Sequence, residues 1–478
     1  MPKVCPECNE EYNDCYWKWC KPCNSTHFKN NFDKWTSRND TIDKFIQDAQ
    51  LNADDSDKVI EWIPYDKFQD IKQIAKGGYG TIYYAMWVDG NIWYWDIKNQ
   101  QWKRNGQVEV VLKKFDGIVD ITINEHFLNE MAILLMTRNA SSLPVQFYGI
   151  TKDPETHEHM MVLRYYKGGN LRNYLINNFN NINWGSKLSY LKRLAKDFAE
   201  IHKLDIVHRD FHPGNILKSN LGNHSSIFIS DFGLSKLITE NIKNHQKNTI
   251  SGVLPYIAPE VLSGGEFTKA ADVYSYAFVA YELITGLPPY YDESHDKELA
   301  FKICNGFRPK IPFHTPKLIT QIIMRCWDAR ITHRPTFDEL DKELYKYWMD
   351  YRKNNFDNNN EITIQIKEAE EFSKNQTTSG ATTPTNYKTH PQAIYTSRFL
   401  DFSNSSKPKN DENFEKKLEE LTESFYQINA EELGIPSSTI QIPSNKNRKS
   451  TTLVNKNITD LISSSSSSAS LIQQQRQQ

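Results

Sequence analysis

The chain has 478 residues, of which 38% are hydrophobic and 12% aromatic, so it is long enough for a large folded domain beside further regions. Its formal net charge of -2 gives no reason to expect nucleic acid or an anionic membrane as a partner. The sequence shows no secretory signal and no stretch of about 18 apolar residues able to span a bilayer. We therefore expect a cytoplasmic protein, with access to the nucleus left open and with no indication of its oligomeric state.

Five of the seven cysteines lie within the first 23 residues of the chain. Four of them form two pairs, each with two intervening residues, and eleven residues separate the pairs, which are Cys5 with Cys8 and Cys20 with Cys23. In a reducing compartment such pairs favour structural Zn²⁺ over disulfides, and a segment with almost no core needs a metal to fold. Residues 1–35 are therefore predicted to form a zinc-ribbon-like module, with Cys15 and His27 as spare ligands. A disordered thiol-rich tail is the alternative.

Further along the chain, the apolar spacing of residues 40–51 predicts a short amphipathic helix within a linker that extends from 36 to 66. Between residues 67 and 347, strand-like runs come first and long helical patterns follow. The strand-like runs are 71–74, 81–86 and 108–115, and the helical patterns include 188–202 and 272–285. A small β-rich part before a larger α-rich part predicts an α+β domain.

An aromatic-rich stretch separates the second and third strand-like runs. Its members are Trp87, Trp93, Tyr94, Trp95 and Trp102. We predict a long hairpin insertion packed on the β-rich part, with a ligand-binding surface as the less favoured alternative.

After residue 347 the composition changes to Asn, Ser, Thr, Gln and Lys, with serine at every position from 463 to 468. Such a sequence buries too little apolar surface to offset the entropy of ordering the chain, so residues 348–478 are predicted to be mostly disordered. A heptad-like rhythm that begins with Phe414, Leu418 and Leu421 favours a transient solvated helix over a helix that docks on a partner.

Residues 75–82, with the sequence AKGGYGTI, lie between two strand-like runs and form the first motif with chemical meaning. Glycines there let a hairpin lie close over phosphates and offer backbone N–H groups to the anion, although ordinary tight turns are equally rich in glycine. Lys113 lies near the end of the next strand-like run, and Glu130 follows on a helical pattern. A pair between them would aim the lysine at the phosphates, whereas Lys113 by itself would be an ordinary solvated charge.

Residues 207–217, with the sequence VHRDFHPGNIL, place Asp210 and Asn215 five positions apart on a predicted loop. Asp210 is able to accept the proton of an incoming hydroxyl group, and Asn215 is able to ligate Mg²⁺ through its amide oxygen. Asp231 begins an Asp-Phe-Gly motif and offers the carboxylate oxygens that Mg²⁺ prefers. Glu260 ends an Ala-Pro-Glu motif, and the whole series in this order and spacing is not expected by chance.

In these motifs the chain between residues 67 and 347 resembles a eukaryotic protein kinase. The resemblance implies a bilobal fold and the transfer of the γ-phosphoryl group of ATP to a protein hydroxyl, with Mg²⁺ as cofactor and proteins as substrates. The residues it implies in catalysis are Asp210 as the base, Lys113, Glu130 and Asn215, and those it implies in Mg²⁺ binding are Asn215 and Asp231.

The same resemblance implies which residues contact the nucleotide. They lie in the glycine-rich loop, on the strand that contains Lys113, at the gatekeeper position, in the hinge and after the catalytic loop. The set is Ala75, Lys76, Gly77, Gly78, Tyr79, Gly80, Ile82, Val111, Lys113, Leu163, Tyr165, Tyr166 and Leu217. Two structural roles are also implied, namely Asp272 bracing the catalytic loop and Arg334 pairing with Glu260.

More narrowly, the sequence resembles tyrosine kinase-like kinases that are expanded in fungi and have a Cys-rich N-terminal module. The residues that support this narrower resemblance are 62–65, Phe211 with His212, 252–256, Cys326 with Trp327 and Asp328, and 387–402 in the tail.

Four positions depart from the kinase pattern without removing the base or a metal ligand. Ala75 replaces the first glycine of the loop, and Val111 stands where an alanine usually contacts adenine. His212 replaces the lysine typical of Ser/Thr kinases, and Val253 replaces a threonine that bonds to the catalytic loop. We expect a working kinase for Ser or Thr, with Tyr specificity open. A pseudokinase scaffold that binds nucleotide or partners without turnover is the alternative, and a third hypothesis makes the kinase fold a regulator of the cysteine module.

Arg209 precedes Asp210, and kinases with such an arginine are commonly switched by phosphorylation of the activation loop. A phosphate there would give Arg209 a bidentate partner and order the segment. Thr249 is the first candidate acceptor and Ser251 the second, with a simple role as turn residues given equal weight.

Overall fold

The structure is a computed structural model that describes residues 4–12, 19–77, 80–115, 125–138, 145–220, 222, 226–237, 250–378, 388–400 and 407–421. The chain falls into two units, Met1–Asp411 and Glu412–Gln478. In the second unit the described residues 414–421 are helical, and the heptad-like rhythm begins on that helix.

The helices of the first unit are α1 (Lys21–Lys29), α2 (Asp40–Asn52), α3 (Glu125–Thr137), α4 (Leu171–Asn178), α5 (Trp184–Lys203), α6 (Pro259–Leu262), α7 (Lys269–Thr285), α8 (Lys297–Cys304), α9 (Lys317–Cys326), α10 (Phe337–Arg352) and α11 (Glu361–Thr378). The strands are β1 (Glu61–Trp62), β2 (Phe68–Lys76), β3 (Thr81–Trp87), β4 (Ile92–Asp96), β5 (Gln101–Arg104), β6 (Val108–Lys114), β7 (Phe147–Lys152), β8 (His159–Arg164), β9 (Ile206–Val207), β10 (Ile216–Lys218), β11 (Ile227–Ile229), β12 (Lys236–Leu237), β13 (Ile250–Gly252) and β14 (Arg398–Leu400). Among the described helices, none combines the length and the apolar content needed to cross a bilayer.

The small lobe is a six-stranded sheet in the order β1-β7-β8-β6-β3-β2, with α3 beside it. β1 and β7 are parallel, and the other neighbouring strands are antiparallel. Val110 and Leu112 of β6 are buried in a cluster with Trp87 on one face of this sheet. Because side chains alternate along a strand, Val111 and Lys113 project from the other face. The predicted strand-like runs are confirmed as β2, β3 and β6.

The large lobe, helices α4 to α10, is built around α7, whose residues 271–285 are all buried. A helix that is buried on every side is the central element of a helical domain. The rings of Phe198 on α5 and Phe337 on α10 stack with centroids 4.6 Å apart. Gly286 ends α7 in the left-handed region, with a φ of 71°. The two long helical patterns of the sequence are confirmed as α5 and α7.

The aromatic-rich stretch forms the hairpin of β4 and β5, which packs on the N-terminal module. Trp102 stacks on Phe28 of α1 with ring centroids 4.4 Å apart, and Trp95 stacks on His27 at 3.9 Å. The predicted hairpin is confirmed, but the predicted packing on the small lobe is wrong for these two tryptophans. Each of the two gains a ring partner on α1, and paired rings gain more than burial alone. Trp87, by contrast, is buried in the small lobe.

The predicted linker is structured and contacts the parts on both sides of it. The amphipathic helix predicted at 40–51 is confirmed as α2, and β1 extends the small-lobe sheet. Glu61 of β1 forms an ion pair with Arg104 at the end of the hairpin. On the other side, the indole N–H of Trp19 in the N-terminal module donates to the carbonyl oxygen of Ala53, just after α2, at 3.0 Å. The linker therefore joins the N-terminal module to the small lobe.

The prediction that residues 348–478 are mostly disordered is wrong for the described residues 348–378, 388–400 and 407–411. Helix α10 continues to Arg352, and α11 follows with Ile362, Ile366 and Ala369 buried. Those three residues have the spacing of one helix face, a local pattern that the average composition of a long polar region conceals. Residues 388–400 lie on the large lobe and end in β14, which pairs with β13.

Candidate active site

Lys113 is held by two carboxylates in the cleft beside the small lobe. Its Nζ donates to Glu130 Oε1 and Oε2 at 2.8 and 2.7 Å and to Asp231 Oδ1 at 2.8 Å. Burial by itself lowers the pKa of Lys113, but the charges of Asp231 and Glu130 outweigh burial and raise the pKa above its usual value. The ammonium group therefore stays charged, and the predicted pair of Lys113 with Glu130 is formed.

The loop after β9 is held by hydrogen bonds from its main chain to Asp272 of α7. Its Oδ2 accepts from the backbone N–H of His208 at 2.8 Å, and its Oδ1 accepts from that of Arg209 at 3.0 Å. Arg209 adopts a φ of 70°, a conformation that costs a non-glycine residue free energy and is retained here by those bonds. Asp272 thus occupies the bracing position that the kinase resemblance implies.

Asp210 and Asn215 lie together on this loop. Asn215 Nδ2 donates to the backbone oxygen of Asp210 at 3.0 Å and to its Oδ2 at 3.4 Å. Because the amide nitrogen makes these bonds, the amide oxygen is the atom of Asn215 suited to a metal. The Asp210 side chain is buried, and its Oδ1 has no hydrogen-bond partner in the described part of the chain. A buried carboxylate oxygen of this kind is suited to a ligand or a proton.

Asp231 follows β11 with a φ of 65°, and its side chain is 42% exposed. Partial burial by itself raises the pKa of Asp231, but the neighbouring Lys113 ammonium outweighs it and holds the pKa below the usual value. The next residue, Phe232, is buried against the His208 ring at 5.0 Å. An ionised, accessible carboxylate together with the Asn215 amide offers the oxygen donors that suit Mg²⁺.

The predicted nucleotide-contacting residues lie along the β2–β3 hairpin and the inner strands. In the hairpin, Ala75 pairs with Ile82, and Gly77 N–H donates to Gly80 O at 2.8 Å. A Cβ on Gly80 would lie 2.4 Å from the carbonyl oxygen of Lys114, so this close approach requires glycine. Lys76 pairs with Thr81 in the same hairpin. Gly78 and Tyr79 lie outside the described residues.

The other predicted nucleotide contacts lie on β6, on β8 and in the segments that follow. Val111 is the register partner of Leu163, and Leu217 pairs with Phe228 of β11. The Tyr165 backbone N–H donates to Glu109 O at 3.3 Å. The Tyr166 ring lies 4.8 Å from that of Phe228. The β6–β8 pairing therefore places Val111 and Leu163 side by side, while Tyr165 and Tyr166 follow the end of β8.

The residues predicted to take part in regulation differ in burial and in contacts. Arg209 Nη1 donates to Leu234 O at 3.3 Å, and its guanidinium lies 4.6 Å from the centre of the Phe267 ring. Ser251 is buried in β13, where it is the register partner of Phe399 in β14. Thr249 lies outside the described residues. Ser251 is therefore buried in this structure, whereas an acceptor of phosphate must be accessible.

The four paired cysteines converge at the N-terminus. The Sγ atoms of Cys5, Cys8, Cys20 and Cys23 all lie within 4.8 Å of one another. Two of the separations are 3.8 Å, from Cys5 to Cys23, and 3.5 Å, from Cys8 to Cys20. A tetrahedral Zn²⁺ with bonds of about 2.3 Å places its sulfur ligands roughly 3.8 Å apart. The thiol set therefore fits zinc.

The surroundings of this cluster differ in part from a ribbon. A bridge between Val4 and Glu11 closes the first knuckle, but the second pair opens helix α1 instead of a strand pair. His27 Nε2 lies 3.1 Å from Glu7 and its ring stacks on Trp95, so it is engaged away from the thiols. Cys15 lies outside the described residues.

One residue at the site was missed by the sequence analysis. The hydroxyl of Ser397 donates to Asp210 Oδ2 at 2.5 Å. The serine is 187 positions from the aspartate in the chain, so no local pattern could place the two together. The only signal in the sequence was the resemblance of residues 387–402 to the tail of fungal kinases.

Comparison with known proteins agrees with this geometry. Residues 68–344 match the family described as protein tyrosine and serine/threonine kinase. A protein of the virus Acanthamoeba polyphaga mimivirus, named as a serine/threonine-protein kinase/receptor, is 31% identical over 311 residues, which is 64% of this chain and 17% of that protein. A dual specificity protein kinase of Dictyostelium discoideum is 28% identical over 292 residues, or 58% of this chain and 11% of that protein.

A serine/threonine-protein kinase of Arabidopsis thaliana is 29% identical over 286 residues, or 58% of this chain and 60% of that protein. The chain thus spans only a small share of the two longer relatives. The family match covers more than half of this chain. On the motifs, the lobes and this match, the chain belongs to the protein tyrosine and serine/threonine kinase family.

Proposed function

We propose that this chain is a protein kinase that transfers the γ-phosphoryl group of ATP to a protein hydroxyl, with serine and threonine as the main acceptors. The observation that supports this most is the convergence of Glu130 and Asp231 on the Lys113 ammonium, at 2.7 to 2.8 Å. The pair of Lys113 with the helix glutamate must be in place for phosphoryl transfer in this family. Both dual specificity and serine/threonine names occur among the relatives, so tyrosine stays a second acceptor class.

In this proposal each polar residue of the cleft has one task. Lys113 donates to the phosphates of the nucleotide, and Glu130 keeps its ammonium in position. Asp210 accepts the proton of the attacking hydroxyl, while Asn215 and Asp231 would hold Mg²⁺. When bound there, Mg²⁺ would supply positive charge to the phosphate oxygens, where negative charge develops in the transition state. Positioning and charge account for most of the rate in this type of reaction.

The departures from the kinase pattern fit a working site. His212 Nε2 lies 3.7 Å from Asp210 Oδ1, so this imidazole is beside the base and supplies a polar neighbour where a lysine is usual. Val111 is larger than alanine and would narrow the adenine pocket. Neither residue takes the place of a metal ligand, so no observation favours the pseudokinase scaffold.

We further propose the finer assignments. The kinase belongs to the tyrosine kinase-like group and is related to the expanded fungal set. Its domains are a module at 1–35, a linker at 36–66, the kinase domain at 67–347 and a tail, and it works on proteins in the cytoplasm. The cysteine geometry supports one structural Zn²⁺ in the module, which would replace a hydrophobic core too small to fold alone.

The test is a phosphoryl-transfer assay of the purified full chain with Mg·ATP and a general protein acceptor. Asp210→Ala is expected to lower kcat by about 10²- to 10⁴-fold, the usual contribution of a general base. Asp205→Ala is the matched control, because Asp205 is an exposed acid near the same loop that pairs with Lys269 on the surface. Equal rates for wild type and Asp210→Ala would refute the proposal.

A further inference from the structure

Residues 388–400, here called the tail segment, are bound along the large lobe by main-chain contacts. His390 N–H donates to Tyr291 O at 2.8 Å. Further on, His295 N–H donates to Gln392 O at 3.2 Å, and Ile394 N–H donates to His295 Nδ1 at 3.0 Å. Contacts of this kind hold an extended peptide whatever its side chains, so the segment is held in one register.

Side chains of the segment add a second set of contacts. Tyr395 donates its hydroxyl to Pro289 O at 2.9 Å, and its carbonyl oxygen accepts from Arg172 Nη1 at 3.0 Å. Arg172 is itself fixed by a buried ion pair with Glu282 at 3.0 Å. Arg398 Nη2 donates to His295 O at 2.6 Å. The positions on either side of Ser397 are therefore anchored to the large lobe.

The last part of the segment pairs with the strand that leads into the Ala-Pro-Glu motif. β14 is antiparallel to β13, with Gly252 opposite Arg398 and Ile250 opposite Leu400. Addition of a strand to an open edge is one of the standard ways in which proteins bind extended peptides. The tail segment thus lies on the kinase domain in the way that a peptide ligand would.

Bound in this way, the tail segment places one hydroxyl group against the proposed catalytic base, Asp210. Ser397 Oγ donates to Asp210 Oδ2 at 2.5 Å and lies 3.4 Å from His212 Nε2. Thr396, the neighbouring hydroxyl residue, is exposed, as alternation along an extended chain requires. The segment therefore offers Ser397, and not Thr396, in the position where an acceptor hydroxyl must lie to lose its proton to the base.

We propose that the tail segment is an intramolecular substrate that occupies the acceptor site, and that this chain phosphorylates its own Ser397. The proposal rests on the proposed kinase function. In the step, Ser397 Oγ forms a bond to the γ-phosphorus of ATP while the bond from that phosphorus to the β–γ bridging oxygen breaks. ADP leaves with the electron pair of the broken bond, and the Ser397 proton passes to Asp210 Oδ2.

The product changes the contact that held the serine. A phosphoserine has about 1.5 to 2 negative charges at neutral pH and would lie against the Asp210 carboxylate. Like charges at this distance repel, so the tail segment leaves the acceptor site after the reaction. Until then it competes with external proteins at an effective concentration on the order of millimolar, as tethered ligands do. Kinase activity on other proteins is therefore expected to rise as Ser397 becomes phosphorylated.

The first experiment incubates the full chain with Mg·ATP and measures phosphate at Ser397 by mass spectrometry, with phosphorylation of a general protein acceptor followed in the same tube. Wild type should acquire phosphate at Ser397 at a rate per molecule that does not depend on protein concentration. Thr396→Ala, the matched control, should behave like wild type, and Asp210→Ala should acquire none. Phosphorylation of the external acceptor should show a lag in wild type that disappears when Ser397 has been phosphorylated beforehand.

Tyr395→Ala separates failure of this proposal from failure of the kinase function. It removes the anchor on Pro289 and so weakens the hold of the large lobe on the tail segment, and a working kinase should then phosphorylate the external protein faster than wild type does. External phosphorylation with Ser397 unmodified in wild type would overturn the proposal and leave the kinase function standing. A Ser397 rate that rises in proportion to protein concentration would also overturn it, because the transfer would then be between molecules. Absence of phosphate on both acceptors in Tyr395→Ala would overturn the kinase function and this proposal with it.

Discussion

At the scale of single residues, Lys113 joins two carboxylates that come from distant parts of the chain. The sequence predicted its pair with Glu130, because both residues belong to motifs with a fixed spacing. It did not predict the direct contact with Asp231, 118 positions away, since the approach of that loop depends on the whole fold. Local patterns therefore named the groups of the cleft but not all of their partners.

Glu130→Gln tests the role of the glutamate without changing its shape. The amide cannot give Lys113 a charged partner, and loss of a charge-assisted hydrogen bond costs about 1.5 to 3 kcal/mol. We expect kcat to fall by about 10- to 100-fold in steady-state assays. Glu158→Gln is the control, because Glu158 pairs with the next lysine, Lys114, at the end of β6. Equal losses in the two variants would contradict the assigned role.

Arg334 and Glu260 form a buried bidentate pair, with both Nη–Oε distances at 2.7 Å. Replacement by lysine keeps the charge but not the fork of two donors, and it leaves part of the carboxylate unpaired. We expect Arg334→Lys to lower the free energy of unfolding by about 2 to 4 kcal/mol, measured by urea denaturation.

The matched control for this pair is Lys346→Ala on α10, which removes an exposed ion pair with Asp350. It should change the free energy of unfolding by less than about 0.5 kcal/mol. If Arg334→Lys had the same free energy of unfolding as Lys346→Ala, the Arg334–Glu260 pair would not stabilise the fold.

At the scale of elements, the sequence predicted those helices and strands whose apolar residues recur with a regular spacing. It did not predict which elements they pack against. The apolar spacing of α2 located that helix within a residue of its observed ends. The β4–β5 hairpin was also located, but tryptophans stack equally well on any flat ring, so the sequence could not choose α1 as the partner. In the tail, α11 and β14 were missed because their few apolar residues are diluted in a polar region.

Removal of zinc should unfold the N-terminal module while the kinase domain stays folded. Burial raises the pKa of the Cys20 thiol to about 11, so a cation is needed to keep that thiol ionised at neutral pH. The purified chain should contain an equimolar amount of zinc by mass spectrometry of metals. A chelator should then shift the fluorescence of Trp19, Trp95 and Trp102, which pack together beside α1.

His27→Asn is the control for the zinc site. The four thiols remain in this variant, and His27 contacts Glu7 and Trp95 instead of them, so the zinc content should be unchanged. Cys20→Ser should lose the metal. A wild-type chain that contains no zinc, and whose fluorescence does not change when the chelator is added, would show that the module folds without a metal.

At the scale of the whole molecule, two buried imidazoles make stability depend on pH. Burial lowers the pKa of His208 and of His295, so both are neutral when the chain is folded. Unfolded, each has a pKa of about 6.5 and binds a proton below it. The contribution of these neutral imidazoles to the free energy of unfolding is therefore complete above about pH 6.5. It is lost as the pH falls toward the pKa values of the folded chain.

The free energy of unfolding should decrease between pH 6.5 and 5.5 by up to about 1.4 kcal/mol for each of these imidazoles. Urea denaturation at a series of pH values measures this slope. His295→Asn should make it shallower, whereas His157→Gln, at an exposed position, should not. If the free energy of unfolding changed equally with pH in wild type, His295→Asn and His157→Gln, the buried His295 ring would not contribute to the pH dependence of stability.

Strand β1 sets the N-terminal limit of any fragment that keeps the small lobe whole. It lies ahead of residue 68, where the family match starts, yet its Glu61 and Trp62 pair with the main chain of β7. A recombinant piece cut at the family boundary would leave that edge of β7 bare, and a bare edge is a template for another chain. Fragments for expression should therefore begin upstream of the linker. Aggregation of shorter fragments would reflect the missing strand and not a catalytic defect.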